Sequence, residues 1–204
     1  EAKRCENEIA ISGPISNNRR RLQAWLKYAD GDFTGALALT KRVNSAESWQ
    51  RAEYLRLLGK NDEALAIYQK TVPELLEKTP TLDDVLYPGD TVSVAAVFLQ
   101  TGDVEKAQQL LRLGIRASAS LPISGSLGRG WTEVFAYGML GEFDNACKAL
   151  TEVANQGYFQ NYKVLMVEPA LMKLRQKSCF EKQYGRIQTQ AQTQVNAARK
   201  AGLL

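Results

Sequence analysis

Histidine is absent from the 204 residues of this chain, and so is any long run of apolar residues. Without imidazole the chain cannot form a Ser-His-Asp triad or a Cys-His pair, and it cannot ligate zinc through histidine. A helix that crosses a bilayer needs about 18 or more mostly apolar residues in succession. We therefore expect a protein that is not an enzyme, with no catalytic residue, no metal site, no cofactor and no membrane span of its own.

Cysteine is scarce, with Cys5, Cys147 and Cys179 as the full set. No two of them are close enough to make a CxxC motif, so neither a thiol redox motif nor a zinc knuckle is indicated. The odd count argues against a fully paired disulfide framework. Buried, inert thiols are the preferred interpretation, and one bridge between Cys147 and Cys179 is the alternative in an oxidising compartment.

The excess of positive charge is small, with 26 Lys and Arg against 22 Asp and Glu. A nucleic-acid-binding domain usually carries a denser basic patch, so we expect this segment to make no direct nucleic-acid contact. The chain begins at Glu1 and shows no signal peptide. We interpret it as a fragment of a longer protein or as a mature form, which would reach a membrane only through an upstream segment.

A glycine followed by an alanine five residues later occurs four times, between stretches of helical periodicity. The four pairs are Gly31 and Ala36, Gly59 and Ala64, Gly102 and Ala107, and Gly141 and Ala146. A small residue also precedes each glycine by seven positions, at Ala24, Ala52, Ala95 and Val134. Small residues at both positions let two helices approach closely. Strand signals are nearly absent, so the pattern predicts an all-α repeat of helical hairpins.

The predicted architecture is an irregular, right-handed α-solenoid of about four hairpins over residues 1–156, with a helical cap of the same domain over residues 157–204. The glycines are unevenly spaced, which excludes an array of one fixed period. Pro73 should end the helix that starts near Asn61. The last helix should run from about Ser178 to Ala201, because its apolar residues recur every three or four positions: Phe180, Tyr184, Ile187, Ala191, Val195 and Ala198.

The spacing of glycine, alanine and large residues resembles the tetratricopeptide repeat (TPR), with departures at Lys27 and Thr40 that make the first repeat degenerate. The C-terminal third is similar to the TPR module that follows winged-helix domains in bacterial membrane-anchored transcriptional regulators, and that also occurs in some cyclase and kinase chains. The elements that carry this resemblance are Gly157-Tyr158, Pro169 to Arg175 with its two leucines, and the helix led by Phe180. In that family the residue after the glycine of the first element is commonly Trp, whereas this chain has Tyr158.

The resemblance implies a non-catalytic module that binds a protein, a peptide or a small ligand, and a homodimer is compatible with it. A free-standing TPR scaffold and an accessory domain of a cyclase or kinase are the alternatives. The module would lie in the periplasm if it is membrane-anchored, and otherwise in the cytoplasm.

In TPR arrays the first helix of each repeat lines a concave groove, and the matching positions here include all three tryptophans. Tryptophan is enriched at binding hot spots. The competing interpretation is that these side chains pack between helices or against the C-terminal helix. The predicted groove residues are Arg21, Trp25, Tyr28, Trp49, Glu53, Arg56, Gln100, Trp131, Phe135 and Met139.

Three carboxylates lie close together in sequence, at Asp83, Asp84 and Asp90. They could suggest a metal site or acid–base chemistry. Helix capping explains them better, because Asp accepts hydrogen bonds from the free N–H groups of a first helical turn.

Overall fold

The structure, a computed structural model, describes residues 17–40, 48–122, 129–157 and 162–201. Helices make up most of these ranges and no strand occurs among them, which confirms the all-α class. The chain separates into two compact units, residues 1–76 and residues 77–204. The boundary between the units falls inside the run 1–156 that the sequence predicted as one set of hairpins.

The first unit contains four helices, α1 (Asn17–Ala29), α2 (Phe33–Leu39), α3 (Ser48–Leu57) and α4 (Asn61–Thr71). Each packs against the next one along the chain. A 3₁₀ turn, Pro73–Leu76, follows α4. The prediction that Pro73 ends the preceding helix is confirmed, because the pyrrolidine ring cannot continue an α-helix that runs into it.

The second unit begins with a 3₁₀ turn at Leu82–Asp84 and continues with seven helices within its described residues. The helices α5 and α6 pack as one pair, α7 and α8 as another, and α6 also contacts α7. The short helices lie between the second pair and the last helix, and α10 follows a 3₁₀ turn at Pro169–Leu171. The bounds are α5 (Pro88–Thr101), α6 (Val104–Ser118), α7 (Arg129–Leu140), α8 (Phe143–Gln156), α9 (Val164–Val167), α10 (Met172–Arg175) and α11 (Ser178–Lys200).

The four repeated glycines form one recurring turn. Each has a positive φ, between 73° and 88°, in the left-handed region that glycine reaches because it has no Cβ. The N–H of the next residue donates to the carbonyl five positions earlier in every copy. These bonds are Asp32 to Lys27, Lys60 to Leu55, Asp103 to Phe98 and Glu142 to Tyr137, at 2.8 to 2.9 Å between N and O. The turn therefore closes one helix and aims the next in the same way each time.

The repeated alanines are fully buried, as the sequence pattern predicted. The small residues in the preceding helices are buried as well. The N–H of each repeated alanine donates to the carbonyl of the residue that follows the glycine, at 2.9 to 3.1 Å. The same residue thus donates a backbone hydrogen bond in the first turn of the second helix and provides the small side chain that lets the pair approach closely. The alanines are Ala36, Ala64, Ala107 and Ala146.

A disulfide joins Cys147 of α8 to Cys179 of α11, with their Cα atoms 6.0 Å apart. This corrects the preference for inert thiols, because the fold brings together two residues that lie far apart in sequence. Phe180 stacks on Tyr184 beside the bridge, with ring centroids 5.5 Å apart. Cys5 and Tyr158 lie outside the described residues.

The last helix is confirmed at Ser178–Lys200, and its apolar stripe is buried only over its first half. Phe180 and Ile187 are buried in a cluster with residues of α7, α8 and α9. Further along, Ala191, Val195 and Ala198 are partly exposed. The helix therefore packs on α8 through its N-terminal turns.

Within the described residues, each helix falls short of the length or the apolar content required to cross a bilayer.

Replacing a turn glycine isolates the contribution of backbone strain. Gly102→Ala is expected to lower the free energy of unfolding by about 1–2 kcal/mol, because alanine is strained in the left-handed region. Gly185→Ala, inside α11, is the matched control and should raise it by about 0.5–1 kcal/mol. An added Cβ meets no atom within 4 Å at either position. Urea unfolding followed by circular dichroism measures both, and shifts of the same sign would contradict the assignment.

Removing the disulfide should destabilise the second unit. The free energy of unfolding of the variant Cys147→Ser/Cys179→Ser is expected to be about 3–4 kcal/mol lower than that of the parent. Without the bridge the unfolded chain has more conformational entropy, which stabilises the unfolded state. Urea unfolding measures the loss, and peptide mapping without reductant identifies the bridge. Cys5→Ser is the control and should unfold like the parent. Equal midpoints for the double variant and the parent would show that this bridge does not stabilise the fold.

Candidate functional site

The helix α3 carries three of the predicted groove residues on one face, since Trp49, Glu53 and Arg56 are spaced by four and three positions. Their exposure differs along the helix. Trp49 is 38% exposed, Glu53 is buried and Arg56 is only 1% exposed. Only the N-terminal end of this face is therefore open to a ligand from solvent.

Glu53 and Arg56 form a buried ion pair. The Arg56 Nε donates to Glu53 Oε2 at 3.3 Å, and its Nη2 donates to Oε1. The hydroxyl of Tyr68 on α4 donates to the same Oε2 at 3.3 Å. Buried charges have to be paired and hydrogen-bonded, and this network meets that need while it ties α3 to α4. Glu53 and Arg56 are thus packing residues in this structure and not the wall of an open groove.

The sequence analysis did not identify the part that Tyr68 plays in this network. Tyr68 is 15 positions from Glu53, and no local pattern links a carboxylate to a hydroxyl on the next helix. The neighbouring Tyr54 is also buried. Its burial, with a smaller effect from the Glu53 charge, raises the pKa of the Tyr54 hydroxyl far above its usual range.

The helix α1 contributes an exposed Arg21, a partly buried Trp25 and a buried Tyr28. Tyr28 contacts the ring of Tyr54, with centroids 5.5 Å apart, which places α1 beside α3. Leu22, next to Arg21, is exposed as well. The solvent-accessible members of the predicted set in the first unit are therefore Arg21, Trp25 and Trp49.

In the second unit, the structure places most of the predicted residues in packing positions. Trp131 is only 3% exposed and belongs to the core cluster. Phe135 and Met139 pack against that cluster, whereas Gln100 is exposed near the end of α5. For Trp131 the structure agrees with the interpretation that the tryptophans pack between helices.

A charged network that the sequence analysis did not identify joins α7 to α8. Arg129 Nη2 lies 3.3 Å from Glu152 Oε2, and Arg129 Nε lies 3.7 Å from Glu133 Oε2. Burial raises the pKa of Glu133, and the charge of Arg129 opposes that shift. Within the described ranges no three His, Cys, Asp or Glu residues are grouped so that they could hold a metal ion.

The carboxylate of Asp84 has the capping role that the sequence predicted. Its Oδ2 accepts from the Thr81 backbone N–H at 2.6 Å and from the Thr81 hydroxyl at 2.8 Å. These hydrogen bonds lower the pKa of Asp84, so its side chain is negatively charged at neutral pH.

Breaking the buried pair should cost more than removing it entirely. Glu53→Leu is expected to lower the free energy of unfolding by about 3–5 kcal/mol, because Arg56 is left buried without its carboxylate. The double variant Glu53→Leu/Arg56→Met should lower the free energy of unfolding by less than Glu53→Leu alone. Urea unfolding measures both variants.

The exposed pair of Lys60 and Glu63, with Nζ and Oε1 3.0 Å apart, is the control of the same spacing. Glu63→Leu should change stability by less than about 1 kcal/mol. If Glu53→Leu were as mild as Glu63→Leu, the buried network would have no structural role.

Comparison of the chain with protein-family models, with curated proteins and with solved structures returns no match.

Proposed function

We propose that this chain is a non-catalytic, TPR-like interaction module that binds a protein, a peptide or a small ligand. The observation that carries the proposal is the fourfold glycine turn, with the same backbone hydrogen bonds and a buried alanine in every copy. Stacked helical hairpins of this kind present extended surfaces that serve recognition. A right-handed solenoid is the arrangement that we propose for these hairpins.

The binding surface in this proposal lies on the first unit, where α1 and α3 are side by side. Trp49 offers a large, partly exposed ring, Trp25 is half-buried, and Arg21 adds a positive charge. Aromatic side chains bury much area at a low cost in conformational entropy, and Arg pairs well with carboxylates. We infer a ligand with an apolar group and a negative charge.

We further propose that the module is the C-terminal part of a bacterial membrane-anchored transcriptional regulator, facing the periplasm. The disulfide between Cys147 and Cys179 supports an oxidising compartment, because such bonds are rare in the cytosol. Ligand binding would then bias the module between two conformations and so influence a distant effector domain. The cytoplasm is the alternative location.

A free-standing scaffold and an accessory domain of a cyclase or kinase are the alternative functions. The sequence that precedes Glu1 in the intact protein separates them. A membrane span and a winged helix would support the regulator, a cyclase or kinase domain would support the accessory role, and an initiator Met would support the scaffold.

The three tryptophans differ enough in exposure to report ligand binding. Iodide should quench Trp49 strongly and Trp131 weakly, because a charged quencher reaches only solvent-exposed rings. In a titration with a panel of acidic peptides and small carboxylates, a ligand should protect Trp49 from iodide. Trp49→Ala should raise the Kd for that ligand by at least about tenfold.

Trp131→Phe is the control and should leave both the iodide-accessible fluorescence and the Kd unchanged. If no member of the panel protects Trp49, or if Trp49→Ala binds as well as the parent, the surface on α1 and α3 is not the binding site.

A further inference from the structure

Three large apolar side chains are exposed within six residues at the start of the second unit. Leu86 is 79% exposed, and Leu82 and Tyr87 are each about half exposed. Isolated exposed apolar residues are normal, but a cluster of large ones marks an interaction site. We call residues 77–90 the acidic segment, for the charges described below.

Hydrogen bonds fix the backbone that carries these side chains. The bonds from Thr81 to Asp84 close the 3₁₀ turn, and Val85 N donates to Leu82 O at 3.2 Å. At the other end, the Thr91 hydroxyl donates to Pro88 O at 2.7 Å. The turn also packs against α6. An ordered apolar surface loses little conformational entropy when it binds, which favours association.

The charge of the acidic segment is opposite to that of the chain as a whole. It contains four carboxylates, Glu77, Asp83, Asp84 and Asp90, against a single Lys78, although the chain carries a net charge of +4. A partner for this surface should therefore combine apolar and basic side chains, because charges across an interface are complementary.

The same unit contains a surface of that chemistry in residues 163–186, the basic segment. Met166 and Met172 are both exposed there, and exposed methionines suit an adaptable contact. The exposed Lys173, Lys177, Lys182 and Arg186 outnumber the one exposed carboxylate of the segment, Glu181.

The basic segment is also held firmly. Arg175 Nη1 donates to the carbonyls of Leu165 and Glu168, at 3.0 and 2.8 Å. The disulfide and the buried Phe180 anchor the start of α11. The acidic and basic segments thus both belong to the second unit, and both carry side chains that are exposed to solvent in the single chain.

We propose that the acidic segment of one chain binds the basic segment of a second copy, and that two such contacts related by a two-fold axis form a homodimer. A two-fold arrangement uses both surfaces of both chains and closes the assembly. The apolar contact would come from Leu82, Leu86 and Tyr87 against Met166 and Met172. This inference does not depend on the proposed ligand or on the regulator assignment.

Charge reversal on separate chains tests the pairing. Asp83→Lys lowers the net charge of the acidic segment from −3 to −1, and Lys182→Glu reduces the positive charge of the basic segment. Each variant alone should dimerise at least about tenfold more weakly than the parent, because the attraction between the two segments is reduced at both contacts. Their equimolar mixture should dimerise more tightly than either variant alone, because one of the two contacts in the mixed dimer keeps both segments of the parent. Sedimentation velocity over a concentration series measures all of these samples.

Asp62→Lys, an exposed reversal on α4, is the charge control and should dimerise like the parent. Leu86→Ser should weaken the dimer at least about tenfold by removing apolar contact. Val104→Ser, at another exposed apolar position that lies outside both segments, should leave the dimer unchanged. Circular dichroism checks that each variant is folded.

Three outcomes would overturn the proposal. The first is a parent chain that stays monomeric at about 100 µM, where even a weak specific interface associates. The second is a dimer that Leu86→Ser leaves unchanged. The third is an equimolar mixture of the two charge variants that stays as weak as either one alone.

Discussion

The left-handed backbone at Gly31, Gly59, Gly102 and Gly141 is the constraint on which the helical hairpins depend. A residue with a Cβ would be strained at these angles, so each position is restricted to glycine by local geometry. The turn ends one helix with a hydrogen bond to a carbonyl five residues earlier, and the next helix starts from the residue that donates it. The alanine four residues later and the small or medium residue seven positions before the glycine are both buried. One local conformation therefore determines both the direction of the second helix and how closely it packs.

Side-chain pairing decides which parts of α3 are exposed to solvent. The buried pair of Glu53 and Arg56 on α3 accepts a hydrogen bond from Tyr68 and so links α3 to α4. Losing one member of such a pair is destabilising, because the other charge then stays buried without its partner. Trp49, one helical turn before Glu53, stays accessible. The same helix face thus serves packing at one end and is exposed to solvent at the other.

Charge is distributed unevenly in the second unit, although the chain as a whole is only mildly basic. The acidic segment runs into the first turn of α5 and the basic segment ends in α11, so the two are far apart in sequence but belong to one compact unit. The disulfide and the stacking of Phe180 on Tyr184 hold the basic segment in place. A proposed homodimer and a proposed ligand surface on the first unit are separate features, and each has its own test.

Local patterns in the sequence were enough to predict the helices, the glycine turns, the buried alanines, the end of α4 at Pro73 and the extent of α11. All of these depend on backbone preferences or on spacing within about ten residues. The sequence was not enough to predict contacts between residues that lie far apart in the chain. It did not decide that Cys147 pairs with Cys179, that Glu53 and Arg56 are buried beside Tyr68, or that Trp131 lies in a core. Those outcomes depend on which residues of distant helices become neighbours, and only the tertiary structure determines that, because burial and pairing are properties of the packed chain.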